Sequence, residues 1–386
     1  EVPAHGIDVI VIDHHETDAG QCEFLLINPK RSGAGYPFRD LTTGALMFKV
    51  LSALEGRPVH EYIDLAALSV VCDVAPLIDE NRYIVKAGLE RMRREPCLGL
   101  EVLMKSAGVN RNYVDTFHLG WVLGPRLNAA GRLARADLSL ELLLADEAVR
   151  AKECVKELER INNERKLTTS RVKDEALAQA QLRAHLDDYV HVIAGDDWHV
   201  GVVGIVASSL KEKFNRPAIV ISFENEIGKG SGRSIDGFNL NEALTHCSAM
   251  LAGFGGHERA CGIEIRRDNL QAFRDAINDF ARSKIDPAAM VQTMTVDAEV
   301  TFNELDPMVF DLLKQFAPFG EGNPEPVFVT RSLRLKNITD TSYGYRLAWL
   351  EEAVQGSGGV FPARLWKTSK FIPLLKAADT IDIAYT

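Results

Sequence analysis

Several features that would place this chain in a secreted, membrane-spanning or disulfide-stapled class are missing. Its 386 residues include six cysteines, Cys22, Cys72, Cys97, Cys154, Cys247 and Cys261, and no two of them form a CxxC pair. That spacing gives neither a zinc-finger ligand set nor a disulfide framework, and points to reduced thiols in a cytoplasmic protein. No apolar run approaches the ~20 residues needed to cross a bilayer. No basic-then-apolar stretch marks a signal peptide. Positive charge is also short: 44 Lys and Arg against 54 Asp and Glu leave a net charge of −10. Residues 1–145, 146–189, 190–289 and 290–386 are each net negative. Bulk attraction to a polyanion is thereby excluded, so any nucleic-acid binding must come from locally placed Arg and Lys. There is no internal repeat and no low-complexity tract.

What remains is ordinary globular material, with 46% hydrophobic and 25% charged residues, enough for two or three domains that each bury a core. Ile7 to Ile12 is a compact apolar run that predicts a buried, parallel strand ending in Asp13-His14-His15. Phe24 to Ile27 repeats it and Asn28-Pro29 closes it. Helical spacing follows near 42–54 and 61–72. Residues 137–184 are rich in charge and hold no Pro or Gly, which predicts one long helix bridging two domains. A second α/β unit has strands at 190–194, 218–222 and 261–265 and helices at 200–214, 241–249 and 269–281. Beyond about 291, short strands alternate with turns around one helix near 306–316, the pattern of a small β-barrel. Glu1 leads almost directly into a strand, and the alternating run 380–386 stops without a turn; both ends are expected to be cuts in a longer protein.

Five short stretches carry chemistry. Asp13-His14-His15 stands at the carboxyl end of a strand, where ligands gather in open parallel sheets; a mixed imidazole and carboxylate set suits Mn2+. Taken alone it also reads as a polar strand end. Asp73, after an apolar helix, reads as a helix cap or a metal ligand. Gly124-Pro125-Arg126-Leu127-Asn128-Ala129-Ala130-Gly131-Arg132 reads as a loop whose small residues allow close approach and whose Arg forks suit phosphate. Gly228 to Ser234 reads as a Gly-rich loop, either a flexible turn or a phosphate nest of backbone N–H groups with Ser231 and Arg233 as specific donors. It lacks the spacing of a Walker A loop. Gly255-Gly256-His257 leaves His257 to meet a phosphate or to stand exposed.

The ordered set of these motifs resembles the RecJ family of single-strand-specific exonucleases, in the DHH phosphoesterase superfamily. Asp13-His14-His15 is similar to the triplet that names the superfamily. Asp73-Val74-Ala75-Pro76-Leu77 with Glu80-Asn81-Arg82 looks like its next acidic motif, and Gly124 to Arg132 matches the RecJ signature letter for letter. Gly230 to Ser234 and Gly255 to His257 resemble the two motifs of the DHH-associated domain. Phe319-Gly320-Glu321-Gly322-Asn323-Pro324-Glu325-Pro326 is similar to the opening of the RecJ OB-fold.

The resemblance implies an α/β architecture: a parallel-sheet DHH domain over 1–136, a long linking helix over 137–188, an α/β DHH-associated domain over 189–288, and an incomplete OB-fold-like β-barrel over 289–386. The two α/β domains would face each other across a cleft. The activity implied is 5′ to 3′ hydrolysis of single-stranded DNA in repair and recombination, releasing mononucleotides. Two Mn2+ or Mg2+ ions would be bound by His14 and Asp73, together with aspartates from two motifs that precede the triplet in the family. Asp13 would orient His14, and His15 would meet the scissile phosphate. Arg126, Asn128, Arg132, Ser231, Arg233 and His257 would hold DNA. Single-stranded DNA is the implied partner, with a single-strand-binding protein and a helicase beside it, and no membrane. Without the preceding motifs, the 386 residues alone are expected to fold in the DHH-associated unit but not to hydrolyse DNA. Two alternatives stand: another DHH phosphoesterase acting on oligoribonucleotides or cyclic dinucleotides, and a non-catalytic RecJ-like scaffold that binds single strands.

Overall fold

Alternating and helical apolar patterns both become structure, although several boundaries move. The computed structural model describes residues 7–17, 24–133, 136–183, 187–341, 345–352, 359–366, 372–378 and 380–386; Cys22 lies outside them. In chain order the elements are strands β1 (Ile10–Ile12) and β2 (Leu25–Ile27), then helices α1 (Thr43–Glu55), α2 (Ile63–Cys72), α3 (Asp79–Arg94) and α4 (Leu98–Ser106). A π-helical turn (His118–Leu123) leads into α5 (Gly124–Leu133), followed by α6 (Asp137–Leu144) and α7 (Ala148–Leu182). Next come β3 (His191–Asp196), α8 (Val200–Phe214), β4 (Ala218–Glu224), β5 (Ile227–Arg233), α9 (Leu240–His246), β6 (Leu251–Gly256), β7 (Ala260–Arg266) and α10 (Leu270–Lys284). The chain continues through β8 (Ala298–Glu299), α11 (Pro307–Phe316), β9 (Phe328–Asp340), β10 (Tyr345–Glu352), β11 (Val360–Trp366), α12 (Ile372–Ala377) and β12 (Ile381–Tyr385). No helix among the described residues is long and apolar enough to cross a membrane.

Two compact units form, and they cut across the segments expected from sequence. One gathers 1–96, 111–120 and 294–386; the other gathers 97–110 and 121–293. In the first, β1 and β2 pair in parallel, as their sequences predict. The expected burial does not follow, since Ile10 is 62% and Leu25 57% exposed. α1 packs beside this pair and α2 packs on α1, and Thr42 caps α1 by accepting from the Ala45 N–H at 3.3 Å. The same unit holds a five-stranded sheet in which β11, β10, β9 and β12 run in that order and β8 pairs with β9. Its core is Phe302, Leu333 and Leu350, with Phe361, Ile381 and Ile383 packed against them.

The second unit is built on a sheet ordered β3-β4-β5-β7-β6, parallel between β3 and β4 and antiparallel elsewhere. β4 shows the period of two that a doubly covered strand needs. Ile219, Ile221 and Phe223 face the core shared with α9 and α10, whereas Ala218 and Val220 face α7 and α8.

The long helix expected over 137–188 is two helices. α6 ends at Leu144, Ala145 takes an extended conformation, and α7 begins at Ala148. α7 is the long connecting helix: Ala151, Leu158 and Ile161 are buried in its first half, which packs on α4, α5 and α6, and Val172, Ala176 and Ala180 in its second half, which packs on β3 and α8. Beyond Ile161 the buried positions of α7 are Asn162, Val172, Ala176 and Ala180, and the small side chains among them let α7 lie close to β3 and α8.

Two motifs read as loops are regular structure. Gly124 to Arg132 lies in α5, which continues without a break from the π-helical turn at His118–Leu123; Pro125, which has no N–H to give, follows directly on that widened turn, and Ala129 and Ala130 are fully buried. Gly228 to Arg233 is β5, bonded on both sides to β4 and β7. Its backbone N–H groups therefore serve the ladder, so the phosphate nest does not exist. The glycines answer a packing need instead: a Cβ on Gly230 would stand 2.9 Å from Ile221 Cγ1 and 3.0 Å from Ile263 Cγ1.

Candidate metal centre and phosphate-binding residues

Asp13, His14 and His15 follow the last residue of β1, and two bonds fix their backbone, with a third holding the donor of one of them. The Asp13 N–H donates to the Ile27 carbonyl at 3.1 Å. Buried Asn28 donates from Nδ2 to the His15 carbonyl at 2.9 Å and accepts from the Lys30 N–H at 2.8 Å. Asn28, closing the second strand, thus holds the triplet at the end of the first.

Each side chain of the triplet has its own partner. Imidazole Nδ1 of His14 meets Thr43 Oγ1 at 2.8 Å, and its Nε2 meets Asp73 Oδ2 at 2.7 Å. If Nδ1 carries the hydrogen and donates to Thr43, the Nε2 lone pair is free for a cation beside the Asp73 carboxylate. The Asp13 carboxylate meets His15 Nδ1 at 2.7 Å. Sequence reasoning pairs Asp13 with His14; here Thr43 orients His14, and Asp13 orients His15. Burial pushes the Asp13 carboxyl up, but the His15 bond and the backbone N–H groups of His14 and His15 outweigh it and leave its pKa below the ordinary value. One donor atom from each of Asp13, His14 and His15 falls within 4.8 Å of the others.

Asp73 is the C-cap of α2, held by its N–H to the Ser69 carbonyl at 3.0 Å. Its carboxylate is half exposed and turned to His14. The cap reading of this residue holds, and its carboxylate stays open to a cation. Carboxylate and imidazole together fit Mn2+, and the carboxylates fit Mg2+. Thr43 escaped sequence reasoning because a second Thr at a helix start reads only as capping.

In the second unit, Ser231 and Arg233 point to the same face of β5, two residues apart. Arg233 Nη1 donates to Ser231 Oγ at 2.9 Å and to the Gly232 carbonyl at 2.7 Å. Gly204 of α8 leaves room for the pair, since a Cβ there would lie 3.2 Å from both Arg233 Nη2 and Ser231 Oγ. These residues line a cavity of about 380 Å³ with Val200, Val203, Lys229 and Gly256. His257 is exposed just beyond β6. Arg132 is exposed at the end of α5 and donates to the Gly201 carbonyl at 3.2 Å; Asn128 is exposed on the same helix. Arg126 is engaged inside the protein, with Nε 2.8 Å from Glu159 and Nη1 2.6 Å from the Val122 carbonyl.

Arg165, which no motif flags, joins this group from α7. Its Nη2 donates to Asn162 Oδ1 at 3.0 Å, while its Nε is buried without a bonding partner. Burial first, then the charges of Arg132 and Arg126, lower its pKa. Guanidinium groups are thus concentrated locally in a chain of net negative charge.

Parts of the chain match known protein families. Residues 187–283 match the DHHA1 domain and residues 296–386 the RecJ OB domain. A single-stranded-DNA-specific exonuclease RecJ of Bacillus subtilis is 36% identical over 336 residues, covering 86% of this chain and 43% of that protein. Its Escherichia coli counterpart is 32% identical over 348 residues, covering 84% and 60%. A crystal structure of exonuclease RecJ bound to manganese is 30% identical, with a TM-score of 0.62, and covers 75% of this chain and 73% of that one. The chain belongs to the RecJ family. Thermus thermophilus RecJ in complex with Mn2+ superposes with a TM-score of 0.84 at 29% identity, over 99% of this chain and 55% of that one. The chain spans about half the length of the RecJ relatives it matches. Within RecJ proteins the matched regions correspond to β3 through most of α10 and to β8 through β12.

Proposed function

We propose that this chain carries part of a metal-dependent, single-stranded-DNA-specific exonuclease that works from the 5′ end and releases mononucleotides in DNA repair and recombination. The observation that carries the reading is the convergence of His14 Nε2 and Asp73 Oδ2, at 2.7 Å, beside Asp13 and His15. His14 and Asp73 would hold Mn2+ or Mg2+. Such an ion, when bound, activates water and stabilises a leaving oxygen. Thr43 keeps the His14 ring turned so that Nε2 faces Asp73. Asp13 holds Nδ1 of His15, which is two-thirds exposed, so Nε2 of His15 is free to donate to a phosphate oxygen. Ser231, Arg233, Arg132, Asn128 and His257 would grip the DNA backbone through charge-assisted and neutral hydrogen bonds. Arg126 would act from behind, through Glu159. Single-stranded DNA is the proposed partner, with a helicase and a single-strand-binding protein to supply and present it. Among the described residues no disulfide joins Cys72, Cys97, Cys154, Cys247 and Cys261, which fits a cytoplasmic setting.

The test uses the full-length protein, Mn2+ and a 5′-phosphorylated single strand. His14→Ala is expected to lower turnover by at least about 100-fold with its unfolding temperature preserved. Near-normal turnover at limiting Mn2+ would remove His14 from the site.

A further inference from the structure

We propose that the segment 315–323, sequence-distant from the metal centre, is the device that positions Asp73, and that Arg82 and Gly320 are its working parts. The inference rests on the reading of Asp73 as a metal ligand.

Asp73 begins a short loop between α2 and α3 whose backbone is strained. Val74 has φ of 57°, a region that a β-branched side chain enters only when its surroundings impose it. The Asp73 carboxylate touches His14 and is otherwise half open, so the loop backbone dictates where it stands. His14 differs, because Thr43 holds its ring directly.

Segment 315–323 is bonded to that loop and to the residues beside it. The Leu77 N–H donates to the Glu321 carbonyl at 2.6 Å. Arg82 spreads its guanidinium over the carbonyls of Gln315, Ala317 and Pro318, at 3.4, 3.2 and 3.4 Å. Thr116 Oγ1 donates to the Phe319 carbonyl at 2.6 Å. On the other side, Asn81 ties the Pro76 carbonyl at 3.1 Å to the Asp40 carbonyl at 2.8 Å.

Shape adds to these bonds. A Cβ on Gly320 would stand 2.7 Å from Leu77 Cδ1, and one on Gly322 3.0 Å from Pro76 Cβ. Gly322 also has φ of +70°, which glycine adopts without strain. Asn323 holds the segment in its own turn, donating to the Phe316 and Pro318 carbonyls at 2.9 and 2.8 Å. Thus Gly320-Glu321-Gly322-Asn323, next to the RecJ OB strands in sequence, is shaped to close on the residues that follow Asp73.

The experiment titrates Mn2+ into the full-length protein, reading free ion by electron paramagnetic resonance, with thermal unfolding and DNA-hydrolysis kinetics in parallel. Arg82→Ala and Gly320→Ala are expected to weaken Mn2+ binding about tenfold, the scale of losing a group that orients a ligand. Turnover should recover as Mn2+ is raised, with KM for DNA unchanged. Arg82→Lys, which keeps the charge but not the fork, should fall between. Asp73→Asn separates the two readings. If it loses Mn2+ while Arg82→Ala and Gly320→Ala bind as wild type, whatever their melting temperatures, the positioning role is overturned and the ligand stands. If Asp73→Asn binds Mn2+ normally, the ligand reading fails and the positioning role fails with it.

Discussion

The triplet at residues 13–15 and the Ser231/Arg233 pair are supported in opposite ways. The first stands at the tip of a three-residue strand with exposed neighbours, and groups from elsewhere fix it: Asn28 its backbone, Thr43 and Asp73 the His14 ring. The second lies within a seven-residue strand bonded on both sides in a five-stranded sheet. There the ladder itself sets side-chain direction. Sites of the first kind are adjustable and vulnerable to distant substitutions. A site of the second kind fails only when the sheet does, or when the residue itself changes.

Three predictions sharpen this contrast. The largest effect is expected from acid, and it falls on the sheet unit. His191 is buried at the start of β3 with both ring nitrogens unbonded. Burial, with a smaller push from Arg216, depresses its pKa from 6.5 to about 4. As pH falls below 6.5, unfolded chains take up a proton that the folded ring refuses. Stability should therefore be full above 6.5, fall down to pH 4 and level off, a loss of about 3 kcal/mol for this group. Urea unfolding at pH 7.5 and 4.5 should show a smaller acid loss in His191→Leu; an identical loss would clear His191.

Next in size is overpacking of β5. Gly230→Ala would push a methyl group against Ile221 and Ile263, at a cost of about 1–3 kcal/mol, read as a lower urea midpoint. An unchanged midpoint would show that the sheet yields more easily than its packing implies. The smallest effect is on binding alone. Arg233→Ala should weaken single-strand binding about tenfold and lower the salt slope by about one phosphate contact, leaving Mn2+ affinity untouched. A salt slope equal to that of wild type would take Arg233 out of the phosphate grip.

How far the sequence reveals all this depends on the kind of information. α1, α2, β3, α8, β4, α9, β7 and α10 are legible because apolar periodicity is local, and α8 has the expected limits of 200–214, whereas α3 and β6 are not read. Composition misleads at β5: a Gly-rich stretch signals a turn unless the neighbouring Ile and Phe side chains that demand the space are known. The same holds for α5, whose small residues suit close helix packing as well as a loop. The triplet, Asp73 and the arginines are visible as types, but their pairing is not. No local rule sends Asp13 to His15, Thr43 to His14 or Arg82 to three carbonyls more than two hundred residues away. The helix break at 145–147 is hidden too, because no Pro or Gly marks it.

The contact of segment 315–323 with the loop behind Asp73 also has a consequence for the order of synthesis. Asp73 leaves the ribosome about 250 residues before Asn323, a delay of roughly 10–50 s at ordinary elongation rates. Residues 97–293, which carry the whole second unit, are complete in that interval and free to fold first. Until the last quarter of the chain emerges, the loop behind Asp73 has nothing to close on it. A nascent chain stalled before residue 315 would therefore carry a finished Ser231/Arg233 surface and an unsupported Asp73, so the proposed phosphate grip would mature before the proposed metal site.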